Sequence, residues 1–203
     1  LFWPATLDSA NFKLPDSIFV HGFLTVNGEK MSKSKGTGIK TDTFAKHCDP
    51  EMLRYYFAAK LNDKVEDIDL NLEDFTQRIN SDLVGKYLNI LSRSSTFIQK
   101  NKGLLSNDID EELINTVLDN AKQIQEYFEL RQYSKAIRLI MDMADLTNKY
   151  INDKTPWKLE NEEATFVATT AINAFRILSI YLNPVVPKLT EAAFKSLGIE
   201  TQT

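Results

Sequence analysis

The sequence predicts a mainly α-helical protein in which a helix bundle follows a shorter unit that contains β-strands. Two observations carry this prediction. Apolar residues recur at helical spacing from Leu72 onward, and only Gly85 and Gly103 of the glycines fall between residues 72 and 197. Most of the other glycines lie near the start of the chain, together with β-branched and aromatic runs. We therefore expect two units, residues 1–71 and residues 72–203.

The first unit contains a predicted strand and hairpin turn. Residues 18–26 are rich in β-branched and aromatic side chains, and Asn27-Gly28 follows them as a tight-turn signal. This pattern predicts a strand, a turn and then an exposed loop. Asp49-Pro50 is typical of a helix start, because proline fits the first helical turn. Two short helices and one strand are therefore predicted at 43–47, 51–60 and 67–70.

The second unit has the pattern of amphipathic helices joined by short loops. Asn71 supplies a predicted cap, and Glu73 and Asp74 place negative charge in the first helical turn. The first predicted helix is about 28 residues long by its apolar period. Four further apolar stripes start near Leu113, Ala136, Ala164 and Pro187. Five such helices pack most simply as a bundle around one core.

Composition excludes several classes of protein. The chain has 203 residues, 43% of them apolar and 26% charged, with a net charge of −4, which fits a soluble globular protein and excludes a uniformly basic nucleic-acid binder. Its single cysteine, Cys48, excludes an intrachain disulfide and a cysteine-rich zinc site, which favours a reduced cytosolic setting. No uninterrupted apolar run approaches the ~20 residues of a membrane helix. Because Leu1-Phe2-Trp3-Pro4 is neither a signal peptide nor an initiator methionine, we expect the chain to begin within a longer protein.

A cationic, hydroxyl-rich loop follows the predicted hairpin. It contains Lys30-Met31-Ser32-Lys33-Ser34 and is trailed by Lys35, Gly36, Thr37 and Gly38. Lysine ammonium groups reach anionic oxygens as point charges, serine hydroxyls add hydrogen bonds, and the glycines let such a loop close. This chemistry predicts a polyphosphate ligand.

The same five residues form the signature loop of class I aminoacyl-tRNA synthetases. Over nearly its whole length the chain resembles the methionyl-tRNA synthetase family of the bacterial type. The similar segments are Phe2–Ala5, Val20–Gly28, Lys30–Thr37, Leu53–Tyr56, Asp67–Asp74, Asn89–Arg93, Pro156-Trp157 and Pro184–Glu191. The resemblance implies that residues 1–71 are the C-terminal edge of a Rossmann-type catalytic domain with its linking region. It implies that residues 72–203 are an anticodon-binding helix bundle.

The resemblance also implies a reaction and its site residues. Methionine and ATP, the latter with Mg²⁺, give methionyl-adenylate, and the methionyl group then passes to tRNA(Met). By this resemblance Lys33 stabilises the departing pyrophosphate, with Lys30 as a weaker second catalytic candidate. His21 and the loop residues Lys30, Met31, Ser32, Lys33 and Ser34 are the expected ATP-binding residues. Phe2 and Trp3 are expected to border the methionine pocket.

A second candidate site lies in the predicted bundle. Asn89 and Arg93 are four residues apart on one helix, about 180° from the apolar stripe through Leu83, Val84, Tyr87 and Leu91, so we expect them to meet water or a ligand. Trp157 follows Pro156 in a loop where an indole can stack on an unpaired base. The resemblance implies that Asn89, Arg93 and Trp157 contact the anticodon. Nearby Lys86, Lys100 and Lys102 are candidates for phosphate contacts.

Other features of the family are absent from this sequence. Its only histidines, His21 and His47, do not lie in a His-Ile-Gly-His type motif, so we expect the 203 residues alone to be inactive. We expect no metal site here, because the zinc of many family members belongs to a connective domain. The expected partners are tRNA(Met), methionine and ATP, with neither DNA nor a membrane, in the cytoplasm. Two alternatives remain: a class I synthetase of different amino-acid specificity, and a stand-alone helical tRNA-binding module.

Overall fold

The computed structural model describes residues 1–31 and 38–199. The described chain is mostly helical with one small sheet, which confirms the predicted fold class. Its helices are α1 (Phe2–Ser9), α2 (Thr41–His47), α3 (Pro50–Ala58), α4 (Leu72–Arg78), α5 (Asn89–Lys100), α6 (Glu111–Asp119), α7 (Ala121–Glu129), α8 (Tyr133–Lys154), α9 (Asn161–Leu182) and α10 (Pro187–Ser196). A π-helix, Ile79–Leu88, joins α4 to α5, and Pro156–Lys158 form a 3₁₀ turn.

The sheet has strands β1 (Leu24–Val26), β2 (Glu29–Lys30) and β3 (Ile68–Leu70), in the order β2-β1-β3. Strand β1 pairs antiparallel with β2 and parallel with β3. Asn27 and Gly28 have φ values of 51° and 78°, the left-handed pair that a two-residue hairpin needs. The predicted turn is therefore confirmed, but the predicted strand is wrong over residues 18–23. Backbone pairing with the β3 segment reaches only as far as Gly22, whose amide donates to the Glu66 carbonyl at 3.1 Å.

The first long helix runs without interruption from α4 through the π-helix to α5, as its apolar period predicted. Its middle is not α-helical, however. A π-helix bonds each carbonyl to the amide five residues ahead, so its turns are wider and the side chains that share a face change. Leu83 and Tyr87 are buried, whereas Val84 is 53% exposed. The predicted apolar stripe was therefore wrong at Val84, and also at Leu72, which is 46% exposed.

The second predicted helix is divided into α6 and α7 at Asn120. The Asn120 amide donates to the Thr116 carbonyl at 2.8 Å, and its nitrogen lies 3.4 Å from the sulfur of Met143 on α8. Asparagine competes with the helical backbone for hydrogen bonds, which favours a break at this position. Helices α8 and α9 end shortly before Pro156 and Pro184, and α10 begins at Pro187 as predicted.

Helix α9 forms the centre of the bundle. Phe175, Leu178 and Leu182 are fully buried. The ring of Tyr87 stacks on Phe175 at 4.6 Å, and the Tyr87 hydroxyl lies 2.6 Å from the Ser179 hydroxyl. Burial raises the pKa of Tyr87 to about 12. By length and composition α9 would suit a membrane span. However, 67% of its most apolar 18-residue stretch is buried inside the protein, as in the core helix of a bundle.

Helix α3 attaches the first unit to the corner between α9 and α10. The Glu51 side chain is 5% exposed, and its carboxylate accepts from the amides of Lys188 at 2.7 Å and Leu189 at 3.0 Å. Arg54 donates to the carbonyls of Val185 at 3.0 Å and Pro184 at 3.1 Å. Glu51 thus caps α10 from another helix, and the two units are packed against each other.

Candidate functional site

The hairpin that precedes the lysine motif is held by one carboxylate. Asp69 on β3 accepts from the Gly28 amide and from the Thr25 hydroxyl, each at 2.7 Å. Two hydrogen bonds lower the pKa of Asp69 below its usual value of 3.8, the one from Gly28 having the larger effect and the one from Thr25 the smaller. Lys30 ends the hairpin with its ammonium 4.6 Å from the centre of the Phe23 ring. The sheet therefore fixes the position from which the motif begins.

Acid should release this hairpin. Because the folded pKa of Asp69 is depressed, its contribution to stability is present above about pH 4 and is lost as the pH falls through the folded pKa. We expect the backbone amide resonance of Gly28 to titrate with a midpoint below pH 3.8. In the Asp69→Asn variant, which keeps the side chain's shape but cannot ionise, this step should vanish. A Gly28 titration unchanged in that variant would contradict the assignment.

The other candidate ATP-binding residues are placed as follows. Met31 directly follows Lys30, whereas Ser32, Lys33 and Ser34 lie outside the described residues. His21 is exposed, and its Nδ1 donates to the Gly22 carbonyl at 2.7 Å. It lines an open polar cavity together with Lys60 and Asp67. A Cβ atom at Gly22 would lie 2.4 Å from the backbone of Glu66, so the close approach of the two chains here requires glycine.

The two candidate residues for the methionine pocket lie together on α1. Phe2 is 76% exposed and Trp3 is 73% exposed. Their rings meet edge to face with centres 6.0 Å apart. Both rings are therefore largely exposed to solvent on the described part of the chain.

A network beneath β3 supports the sheet from the side of α3. The ammonium of Lys60 lies 2.7 Å from the Asp74 carboxylate and 2.5 Å from the Tyr56 hydroxyl. Burial opposes the charge on Lys60, but the hydrogen bonds to Asp74 and Tyr56 outweigh it and raise the pKa of Lys60. The hydrogen bond from Lys60 lowers the pKa of Asp74. These contacts could not be predicted from the sequence, because they join segments that are separate along the chain.

The three residues that the sequence analysis assigned to the second site lie on one face of the bundle. Asn89 and Arg93 stand one turn apart on α5, and the Arg93 guanidinium lies 5.9 Å from the centre of the Trp157 ring. Trp157 is 55% exposed. It is presented by the 3₁₀ turn that follows Thr155, whose φ of 46° ends α8. We call Asn89, Arg93 and Trp157 the bundle-end trio.

Two asparagines of α8 complete this surface. Asn148 Oδ1 accepts from Asn89 Nδ2 at 3.2 Å and from Arg93 at 3.4 Å. Asn152 Oδ1 accepts from Arg93 at 2.6 Å. Sequence reasoning missed both, although they are four residues apart on one helix, the same spacing as Asn89 and Arg93.

These contacts correct the expected setting of the trio. Asn89 and Arg93 do not face only water or a ligand, because both are half-buried against α8. The wider turns of the preceding π-helix displace the angles that α-helical spacing assigned to them. Lys86, a predicted phosphate contact, forms an ion pair with Asp145 at 2.6 Å. Lys100 remains exposed beside Phe97, with its ammonium 5.7 Å from the ring centre.

Within the part of the chain that the structure describes, no group of three or more His, Cys, Asp or Glu side chains is arranged to hold a metal ion. The surface around the trio instead carries amide, guanidinium and indole groups. These groups pair with or stack on nucleobases, which expose donors, acceptors and flat rings.

Comparison with known proteins agrees with this chemistry. The family described as tRNA synthetases class I (M) matches residues 1–95, and the family described as the anticodon-binding domain of tRNA ligase matches residues 110–203. The methionine–tRNA ligase of Psychrobacter sp. (strain PRwf-1) is 51% identical over 98% of this chain. The chain belongs to the methionyl-tRNA synthetase family. It spans 30% of the length of that relative.

Solved structures of the methionyl-tRNA synthetase family have the same fold. The Mycobacterium tuberculosis methionyl-tRNA synthetase in complex with methionyl-adenylate matches with a TM-score of 0.83 and 29% identity, over 98% of this chain and 42% of that one. A second structure of the same enzyme bound by methionyl-adenylate matches with a TM-score of 0.83 and 27% identity, over 98% of this chain and 41% of that one. The chain thus corresponds to a part of the synthetases it resembles, with segments of both the class I catalytic domain and the anticodon-binding domain.

Proposed function

We propose that this chain is the part of a methionine–tRNA ligase that supplies the lysine loop of the ATP site and the anticodon-binding surface. In the proposed first step, a carboxylate oxygen of methionine attacks the α-phosphorus of ATP, which enters as its Mg²⁺ complex. The bond to the bridging oxygen breaks, and pyrophosphate leaves. The methionyl group then passes from the adenylate to the 3′ end of tRNA(Met). The observation that carries the proposal is the bundle-end trio, gathered on one face with its indole exposed.

For the first step, we assign Lys33 to the charge that builds up on the departing pyrophosphate, with Lys30 as a second cation. The other motif residues, Met31, Ser32 and Ser34, and also His21, are assigned to the nucleotide. In phosphoryl and nucleotidyl transfer, the protein gains most by placing cations where negative charge accumulates. The β1–β2 hairpin supports this role. The hydrogen bond from the Gly28 amide to Asp69 stabilises the hairpin, which holds Lys30 at the start of the loop. Phe2 and Trp3 are assigned to the methionine pocket.

For the second step, we assign the trio to unpaired anticodon bases. Trp157 offers a flat ring for base stacking, and Asn89 and Arg93 offer hydrogen-bonding groups to a base edge. Lys100 and Lys102 extend the same helix end and are assigned to phosphates. We assign residues 1–71 to the catalytic side and residues 72–203 to the anticodon side, with the boundary at the Asn71 cap of α4. The proposed setting is the cytoplasm, with neither DNA nor a membrane as partner.

Replacing Trp157 by alanine should weaken anticodon binding without changing adenylation. Stacking of a base on an aromatic side chain contributes ~1–3 kcal/mol, so we expect the dissociation constant of the anticodon stem-loop to rise by about 5- to 150-fold. The measurement is stem-loop binding to the full-length enzyme, paired with ATP–pyrophosphate exchange. Exchange should not change, since it requires no tRNA.

Ile180→Ala is the matched control for this substitution. Ile180 is 54% exposed, against 55% for Trp157, and it stands on α9 outside the trio. This control should leave stem-loop affinity unchanged. If Trp157→Ala also left the affinity unchanged, the indole would be a packing residue of the bundle end, and its assignment to the anticodon would fail.

A further inference from the structure

The side chain of Asn148 occupies a position between two helices where its orientation is fixed. Its Nδ2 lies 2.9 Å from the Lys86 carbonyl and 3.0 Å from the Ala144 carbonyl. Carbonyl oxygens only accept hydrogen bonds, so the atom between them must be the amide nitrogen. Asn148 Oδ1 therefore points the other way, toward Asn89 and Arg93.

Lys86 lies in the last turn of the π-helix, just before the chain returns to α-helical geometry at Asn89. The hydrogen bond from Asn148 to the Lys86 carbonyl therefore connects α8 to the segment that carries Asn89. It also satisfies an accepting position of that carbonyl.

The fixed orientation passes on to Asn89. Because Asn148 Oδ1 can only accept, the atom of Asn89 that lies 3.2 Å from it must be the amide nitrogen. The Oδ1 atom of Asn89 is then left for the exposed side of the surface. Arg93 donates to the same Asn148 oxygen at 3.4 Å and to Asn152 at 2.6 Å, which holds its guanidinium beside Asn89.

We propose that Asn148 is a positioning residue that makes Asn89 present a hydrogen-bond acceptor to the anticodon, and so selects a base that carries an exocyclic amine. Cytosine and adenine offer an N–H donor at that edge, whereas uracil and inosine offer a carbonyl oxygen that would face Asn89 Oδ1. The proposal rests on the assignment of the trio to the anticodon and adds the source of its base preference. Asn148 itself acts through Asn89 and touches no base in this scheme.

The test measures the dissociation constants of three stem-loops on the full-length enzyme. The stem-loops carry the anticodon CAU, which pairs with the methionine codon, and the variants UAU and CIU, each of which exchanges one amine for a carbonyl. The wild-type enzyme should discriminate against at least one variant by about tenfold or more, the effect of one lost hydrogen bond to a buried or fixed partner. In Asn148→Ala the ratio of the dissociation constants of the variant and CAU stem-loops should fall toward one. Asn89→Ala should abolish the same discrimination. The double variant should lose no more than either single one.

Two further variants separate positioning from packing. Asn148→Asp keeps the size and shape of the side chain but replaces the donor to the Lys86 and Ala144 carbonyls by a carboxylate oxygen, which those carbonyls repel, so the fixed orientation and the discrimination should be lost. Asn173→Ala removes an amide that donates to the helix carbonyl of Thr169 at 3.0 Å, as Asn148 does to Ala144, but far from the trio in sequence and on α9. It should change neither affinity nor discrimination.

The outcomes distinguish this proposal from the one it rests on. If Asn89→Ala loses discrimination but Asn148→Ala retains it, the positioning role is overturned and the anticodon assignment stands. If Asn148→Asp, which keeps the size of the side chain but lacks the donor, retains the discrimination while Asn148→Ala loses it, Asn148 is a packing residue and the proposal is again overturned. If neither Asn89→Ala nor Arg93→Ala affects binding of any stem-loop, the anticodon assignment itself fails.

Discussion

Replacement of Lys33 by alanine in the full-length enzyme should slow adenylate formation about 10²-fold, with little change in methionine affinity. One cation placed on the charge that develops in a transition state contributes ~3 kcal/mol, and this charge forms only as pyrophosphate departs. The loss should therefore appear in the rate constant rather than in ground-state binding. Single-turnover formation of methionyl-adenylate, measured over a range of methionine concentrations, separates the two.

Lys40→Ala provides the control for this substitution. Lys40 is an exposed lysine just beyond the loop and stands at the start of α2, outside the motif. Removing it changes the net charge by the same amount but should leave adenylation unchanged. An equal loss of methionine affinity and rate in Lys33→Ala would contradict the pyrophosphate assignment, as would an equal loss in both variants.

Replacement of Glu51 by alanine should cost about 3 kcal/mol of the free energy of unfolding, since hydrogen bonds to a charged group contribute ~1.5–3 kcal/mol and buried orphaned amides add a penalty. The carboxylate is 5% exposed and accepts from the first amides of α10 at 2.7 Å and 3.0 Å. Within the described residues no side chain of α10 itself caps this end. Denaturant unfolding of the 203-residue chain, compared with wild type at equal m-value, measures the loss.

Glu162→Ala tests whether the effect belongs to these contacts. Glu162 lies in the first turn of α9, where it interacts with the helix end only through its charge and is exposed to solvent. The charge of Glu162 should therefore contribute only ~0.3–1 kcal/mol to the free energy of unfolding. Glu51→Gln should fall between the two, because one amide oxygen remains as an acceptor. A loss in Glu51→Ala no larger than in Glu162→Ala would contradict the capping role.

Features that depend on neighbouring residues in the sequence were predictable. Asn27-Gly28 forms the hairpin turn, and Asn71 caps α4 by accepting from the Asp74 amide at 2.9 Å. Asp49 caps α3 in the same way through the Glu51 amide at 2.9 Å. Each of these signals acts over two to three residues, so the local sequence contains all of the interaction.

Features that depend on distant partners were not predictable in the same way. The π-helix has no local signal of its own, and it changed which residues of the first long helix are buried. In the sequence, Asn148 and Asn152 are ordinary polar positions on α8. Their contacts with Asn89 and Arg93 depend on the packing of α5 against α8. The four-residue spacing placed Asn89 and Arg93 on one helix face, but Trp157 was grouped with them only through the family resemblance, because nothing in the sequence shows that it lies beside them.

The stacking of Tyr87 on Phe175 affects the rigidity of the surface to which an RNA would bind. The hydroxyl of Tyr87 is also joined to Ser179, so the helix that carries Asn89 cannot rotate about its axis without separating two rings and breaking an internal hydrogen bond. A surface held in this way has little conformational entropy left to lose when a ligand docks. Association should then be limited by diffusion and charge steering rather than by rearrangement of the protein, and a wrong sequence should be rejected mainly by faster dissociation.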